Sequence, residues 1–242
     1  MGRAIGCGAA RIAGAGLILI GTVGVVSLTT ATPALADNCS TEQTIFVQDS
    51  ATSSSYGTQA SVYIRGHSLD SNCSGFRSWS MVNIFSTDKS DQAETGYRQY
   101  DSSTFDDVTC YQQGNAESCH LNNSVTISPG VFDGFKVANW PLGTSDFASW
   151  INGGSGWIET SSTTGAPFTH GYAMGETGRY GNTSGMLDHH KNLQRKNSSG
   201  TWLDWGEQDE WFTSVNNNDF YYHKMSNTAY EVCESGSTCP WQ

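Results

Sequence analysis

The chain has 242 residues, with 12 basic and 23 acidic side chains and a formal charge of −11. That balance repels nucleic acid and anionic membrane surfaces, which excludes both as partners. With 37% hydrophobic residues, the composition is that of a folded chain rather than a disordered one.

Arg3 and Arg11 precede an apolar run, Leu17 to Leu28, and Ala34-Leu35-Ala36 supplies an A-x-A site before Asp37. This is the pattern of a secretory signal peptide, so residues 1–36 are set apart and an extracellular protein is expected. The remaining 206 residues suit one domain, expected to be monomeric, and losing two arginines takes the charge to −13. No later stretch is long and apolar enough to span a bilayer.

Cys7 leaves with the leader. Cys39, Cys73, Cys110, Cys119, Cys233 and Cys239 remain. An even number in a secreted chain reads as disulfides, and sequence proximity suggests 39–73, 110–119 and 233–239. Loop-closure entropy assigns roughly 4 kcal/mol to the first and roughly 2.5 to each short loop. None of the spacings matches a zinc site.

In chain order, Thr44–Gln48 and Ala60–Arg65 read as strands, then Trp79–Phe85 (WSMVNIF), which is apolar on both faces as a central strand should be. Gln92–Gln99 follows with Glu94 in its middle. Residues 101–123 are polar and acidic and read as an insertion pinned by Cys110 and Cys119. Ser124–Ile127, Val131–Asn139, Phe147–Ile151 and Trp157–Thr160 continue the strands, the last two flanking a glycine-rich loop. Phe168–Gly178 and Met186–Lys196 are long strands, and Thr201–Trp205, Phe220–Lys224 and Ala229–Cys233 complete the series. No 3.6-residue apolar period is sustained. The expectation is an all-β, antiparallel two-sheet sandwich of the concanavalin-like jelly-roll kind, in a single domain over 37–242.

Strand residues two apart share a face, so Phe168, His170, Tyr172, Met174 and Glu176 align. A carboxylate among Phe, Tyr and Met lies near a cleft or is partly buried, and desolvation there favours its protonated form. Glu94 has a similar setting, and the two share a tripeptide, Glu94-Thr-Gly96 and Glu176-Thr-Gly178, whose small last residue leaves room for a ligand or another chain. If their strands are neighbours, the two carboxyl groups face one another and supply an acid and a base together. Such a pair could equally hydrolyse a glycoside, with the carboxyl separation deciding the stereochemistry. The plainer alternative is two exposed glutamates.

Eight tryptophans offer flat faces of the kind that grip sugar rings, and Trp157, Trp202 and Trp205, with Tyr172, are the binding candidates for a glycan or other extracellular polymer. Core packing is the competing role for any one of them. His189 and His190 point to opposite faces of a strand, so they cannot share one ion, and Asp101, Asp106 and Asp107 suit either Ca²⁺ or a solvated loop. No metal site is assigned. No nucleophile elbow, phosphate loop or dinucleotide fingerprint occurs, and no cofactor is expected.

Taken together, Ala93-Glu94-Thr95-Gly96-Tyr97, Phe132–Val137, Phe168-Thr-His-Gly171, Gly175-Glu176-Thr177, Leu193 and Trp202-Leu-Asp-Trp205 resemble secreted actinobacterial β-sandwich proteins of unassigned function. That resemblance implies a concanavalin-like fold and no activity. A fainter similarity runs to the neprosin and eqolisin glutamic peptidases, which pair two glutamates or a glutamate with a glutamine. It implies that Glu94 and Glu176 form the pair, one activating water and the other polarising the carbonyl. A third expectation is a structural cell-surface component with no active site.

Overall fold

The computed structural model describes residues 42–65, 78–100, 104–114, 116–122, 127–152, 156–163, 165–180, 187–213 and 220–234. The signal segment, Cys39, Cys73, Cys239, Asp101 and all but the last residue of the expected strand Ser124–Ile127 lie outside them. Every regular element described is a strand, and the strands form two antiparallel sheets packed as a sandwich.

The first half of the chain supplies β1 (Glu42–Asp49), β2 (Gly57–Tyr63), β3 (Ser78–Ser86), β4 (Asp91–Gln99), β5 (Phe105–Gln113), β6 (Ala116–Asn122) and β7 (Phe132–Asn139). Next come β8 (Phe147–Asn152), β9 (Ile158–Thr163), β10 (Gly171–Tyr180) and β11 (Leu187–Lys196). The last are β12 (Trp202–Asp204), β13 (Gln208–Thr213), β14 (Phe220–Ser226) and β15 (Ala229–Glu234). Sheet one runs β13-β1-β10-β3-β4-β5-β6, and sheet two runs β14-β15-β11-β2-β7-β8-β9, with β12 added beside β11.

Alternation along each strand divides its side chains between the two faces. Ile45, Val47, Val82, Ile84, Ala93, Tyr97 and Ala173 of sheet one meet Val62, Phe135, Val137, Ile151, Leu193, Tyr230 and Val232 of sheet two. Full burial of each large apolar side chain here is worth about 1.5–3 kcal/mol. β3 is buried along its whole length, as its two apolar faces require. Its outward face joins Trp79 and Met81 to Val108 and Cys110 in a second, smaller cluster. That cluster floors the surface on which the candidate site stands.

Residues 101–123, expected as an insertion, contain the hairpin β5–β6, which extends sheet one by two strands. Polar residues on the inward face, Asp107 and Thr109, break the alternation, while the buried Val108 lies on the outward face with Trp79 and Met81. Cys110 and Cys119 are directly cross-strand partners and form the expected disulfide. Cys233 is also disulfide-bonded. β13 was not expected either, because its Gln-Asp-Glu start reads as loop; it is an edge strand, where charge is tolerated.

Candidate active site

Glu94 lies on β4 and Glu176 on β10, and both are nearly buried, at 3% and 6% exposure. Their strands are not neighbours, contrary to the simplest expectation. β3 runs between them, pairing with each. Asn83 of β3 sits directly opposite Glu94, and its side chain closes the gap. Its amide nitrogen donates to Glu94 Oε2 at 2.9 Å and to Glu176 Oε2 at 2.7 Å. One carboxamide therefore ties the two carboxyl groups together, using both of its N–H bonds.

The two glutamates differ in their other contacts. Trp79, also on β3, donates its indole N–H to Glu176 Oε1 at 2.6 Å. Glu176 thus accepts a side-chain N–H at each oxygen, an environment suited to a charged carboxylate. Gln92 donates weakly to Glu94 Oε2 at 3.4 Å, and Arg98 Nη2 stands 4.0 Å from Glu94 Oε1. The same Nη2 donates to Glu117 at 3.0 Å and lies 3.1 Å from Cys110 Sγ, so its charge is largely spent elsewhere. Burial and the repulsion from Glu176 outweigh Arg98, and the Glu94 carboxyl is pushed well above the usual carboxylate range.

The repeated tripeptide acquires a physical reason. A Cβ on Gly178 would collide with the Trp79 ring, and one on Gly96 with Ser80 O and Met81. The space left by each glycine is filled by a side chain or backbone of β3, rather than by a ligand. At Gly178 it lets the indole lie flat enough to reach Glu176.

On the β10 side an aromatic group borders the dyad. Phe46, Phe85 and Trp211 pack with centroids 5.5–5.6 Å apart, and Phe46 is the register partner of Glu176. Lys89 Nζ lies 4.7 Å from the centroid of Tyr172 and 4.1 Å from that of Trp211. Tyr172, a binding candidate from the sequence, therefore stands two residues from Met174 and four from Glu176 on the dyad's face, half-buried.

The tryptophan candidates are elsewhere. Trp157 (40% exposed), which immediately precedes β9, and the half-buried Trp202 of β12 lie with sheet two, whereas the dyad stands on sheet one. Trp205 is 2% exposed and packs in the sandwich core, so it presents no face to a ligand. Asn83, Trp79 and Arg98 were not singled out from the sequence. The signal for Asn83 was there: it is the one carboxamide in an otherwise apolar central run.

Among the described histidines, His189 meets Phe132 edge-on while His190 stacks on Tyr230 in the core, at 4.6 Å. They occupy opposite faces, as the alternation requires. Asp106 and Asp107 likewise diverge, Asp107 being fully buried.

No family model matches the chain, and no curated protein matches it in sequence. Solved structures do match its fold. A scytalido-glutamic peptidase bound to a transition-state-analogue inhibitor superposes with a TM-score of 0.59 at 12% identity, covering 80% of this chain and 97% of that one. SCP-B, a member of the eqolisin peptidases in complex with the tripeptide Ala-Ile-His, gives 0.55 at 12% identity over 81% and 98%. At this identity the likeness establishes a shared sandwich fold. Any shared chemistry has to be argued from the side chains.

Proposed function

We propose that this protein is an acid-active hydrolase of the glutamic-peptidase type, in which Glu176 is the general base and Glu94 the acid. The observation that carries the reading is the pair of buried carboxyl groups held on one carboxamide, one supplied with N–H donors and the other pushed toward its protonated form. Groups whose surroundings drive their protonation apart are what acid–base chemistry on one substrate needs.

In this scheme Glu176 takes a proton from water, whose oxygen attacks the peptide carbonyl carbon. Glu94 gives its proton to the carbonyl oxygen, so the tetrahedral species carries no net charge. Glu176 then passes its proton to the departing nitrogen as the C–N bond breaks, and Glu94 recovers its own as the carbonyl reforms. Both carboxyl groups end as they began. The aromatic border of Phe46, Phe85, Trp211 and Tyr172 offers an apolar wall for a substrate side chain. The fold likeness to enzymes solved with a peptide and a transition-state analogue supports a polypeptide over a sugar as the substrate.

The test is digestion of a denatured protein by the purified chain between about pH 3 and 7, beside Glu176→Gln. Cleavage at acid pH that falls by about 10³-fold in the variant is expected, the scale on which a general base acts. Full activity in Glu176→Gln would remove the base from this residue. A second reading, retention on an extracellular polymer, is favoured by the exposed indoles of sheet two.

A further inference from the structure

Strand β11 changes partners half-way along. Up to Lys191 it pairs with β15, and from Gln194 onward with β12. At the change its ladder with β2 slips: Lys191 faces Ser61 and Gln194 faces Gln59, so Asn192 and Leu193 together oppose Ala60. This is a β-bulge, and Asn192 adopts a left-handed backbone conformation in it, with φ 55°. Such backbone is disfavoured for a residue other than glycine, and it clusters at binding and active sites.

Because β15 begins where β12 ends, the outer face of sheet two has a notch there. A cavity of about 450 Å³ occupies it. Its walls are mostly carboxamides, hydroxyls and one carboxylate. Gln59 Nε2 donates to Gln194 Oε1 at 2.6 Å, Gln194 Nε2 donates to Asp204 Oδ1 at 2.9 Å, and Asn192 Nδ2 donates to Ser61 Oγ at 3.2 Å. These bonds fix the rotamers and leave Gln59 Oε1, Asp204 Oδ2 and Asn192 Oδ1 as acceptors. Across the cavity stands the exposed indole of Trp157, seated over Gly134, where a Cβ would come within 3.1 Å of the ring.

The surface continues beyond Trp157. Lys136 Nζ lies 4.3 Å from the centroid of that indole and 4.5 Å from that of Trp150, holding the two at a set distance. Trp150, Trp140 and Trp202 line a second cavity of about 310 Å³ beside it. A run of indoles next to fixed acceptors is not needed by a dyad on the other sheet.

We propose that this face of sheet two is a binding site for a neutral polysaccharide, a reading that rests on polymer retention and gives it a place and a ligand class. Sugar hydroxyls are donors, and the acceptors left open by the Gln59–Gln194–Asp204 relay suit a vicinal pair of them. The apolar face of a ring lies on Trp157, with neighbouring residues of the polymer following Trp150 and Trp202. A neutral chain is specified because, among the described residues, no cation lines the first cavity and Asp204 does, the second cavity sets Glu159 against Lys136 and Lys196, and the whole protein is acidic. Neither the relay nor the indole presents the row of unpaired backbone groups that captures an extended peptide.

The experiment is retention of the purified chain on insoluble cellulose, chitin, xylan and β-1,3-glucan, with Trp157→Ala, Asp204→Ala and Glu176→Gln alongside. Wild-type protein and Glu176→Gln are expected to bind at least one polymer equally. Trp157→Ala and Asp204→Ala are expected to bind it at least tenfold more weakly, with melting temperatures unchanged because both side chains are exposed. Retention on none of the four overturns the polymer-retention reading. Retention that both substitutions leave within twofold overturns this site while leaving that reading standing. Elution by excess denatured casein overturns the glycan in favour of a polypeptide on this face. Peptidase activity is measured on every variant, and its presence or absence decides the dyad separately.

Discussion

At the scale of single residues, the dyad turns on how one amide is shared. Asn83 gives one N–H to each glutamate, and Trp79 adds a further donor to Glu176 alone. If Glu94 acts as an acid, activity is lost as pH rises through its elevated pKa, because the ionised form has no proton to give. Glu94→Gln replaces that acid with an N–H donor that does not titrate. The variant should keep measurable activity, roughly 10- to 100-fold reduced, and lose the alkaline limb of its pH profile. A pH–rate profile of both proteins checks this, and an unchanged alkaline limb would move that limb to another group. Both glutamates stood out in the sequence, since each sits mid-strand at the head of the repeated tripeptide Glu-Thr-Gly. Asn83 was not, because its role depends on which strand lies between the other two, and strand order is a tertiary fact. The pairing of Trp202 with Trp205 as ligands failed for a local reason. Trp205 follows the end of β12 and turns its side chain into the sandwich core.

At the scale of elements, the strands most readable from sequence were those with strong apolar alternation or two apolar faces. β3, β4, β7, β8 and β11 all fall within a few residues of expectation. The hairpin β5–β6 was hidden by Asp107 and Thr109 on the inward face of β5, and the edge strand β13 by its charged start, since edges carry little of the apolar signal. The disulfide inside that hairpin closes a short loop, worth about 2.5 kcal/mol by loop-closure entropy. Replacing Cys110 and Cys119 together by alanine should lower the melting temperature by roughly 5–10 °C. Cys110 Sγ also touches Arg98, which stands beside Glu94, so the same variant should show a shifted pH profile of activity as well as reduced stability. Thermal melts and pH–rate curves on the double mutant separate the two effects.

At the scale of the molecule, the two sheets enclose polar groups as well as apolar ones. Tyr97 of sheet one donates to Asp188 of sheet two at 2.9 Å, and Ser80 Oγ lies 2.7 Å from His190 Nε2. Burial lifts Asp188 to about 7, and burial lowers His190 to about 3 and His189 to about 4. The consequences have opposite signs. Between roughly pH 4 and 7 the native Asp188 holds a proton that the unfolded chain has lost, so its contribution falls as pH rises, by up to about 1.4 kcal/mol per unit. The histidines stay neutral when folded and become charged when unfolded. Their contribution is complete above about pH 6.5 and is lost as pH falls toward 4 and 3. Two histidines oppose one carboxyl, so these three groups should make wild-type stability rise with pH across this window, Asp188 offsetting about half of the histidine slope. Asp188→Asn removes the opposing contribution, and its melting temperature should rise with pH from 4 to 6.5 more steeply than that of the wild type. A curve parallel to that of the wild type would show that Asp188 does not titrate as its burial demands.

The glycines behind the dyad bear on how such a site is to be found elsewhere. Glu94 and Glu176 each precede, by two positions, a glycine whose missing Cβ is occupied by the strand between them. The constraint is therefore written across three strands: Glu-x-Gly on each flank, and Trp-x-Met-x-Asn in the middle, from Trp79 to Asn83. Gly178→Ala should push the indole off Glu176 and cut activity with no chemical group removed, which a kcat measurement on the folded variant would reveal. A chain that keeps the two glutamates but widens either glycine has given up the geometry, whatever its overall identity. A discontinuous pattern of this kind is invisible to a comparison that reads one contiguous stretch at a time, and it is the pattern by which distant relatives of this dyad are best sought.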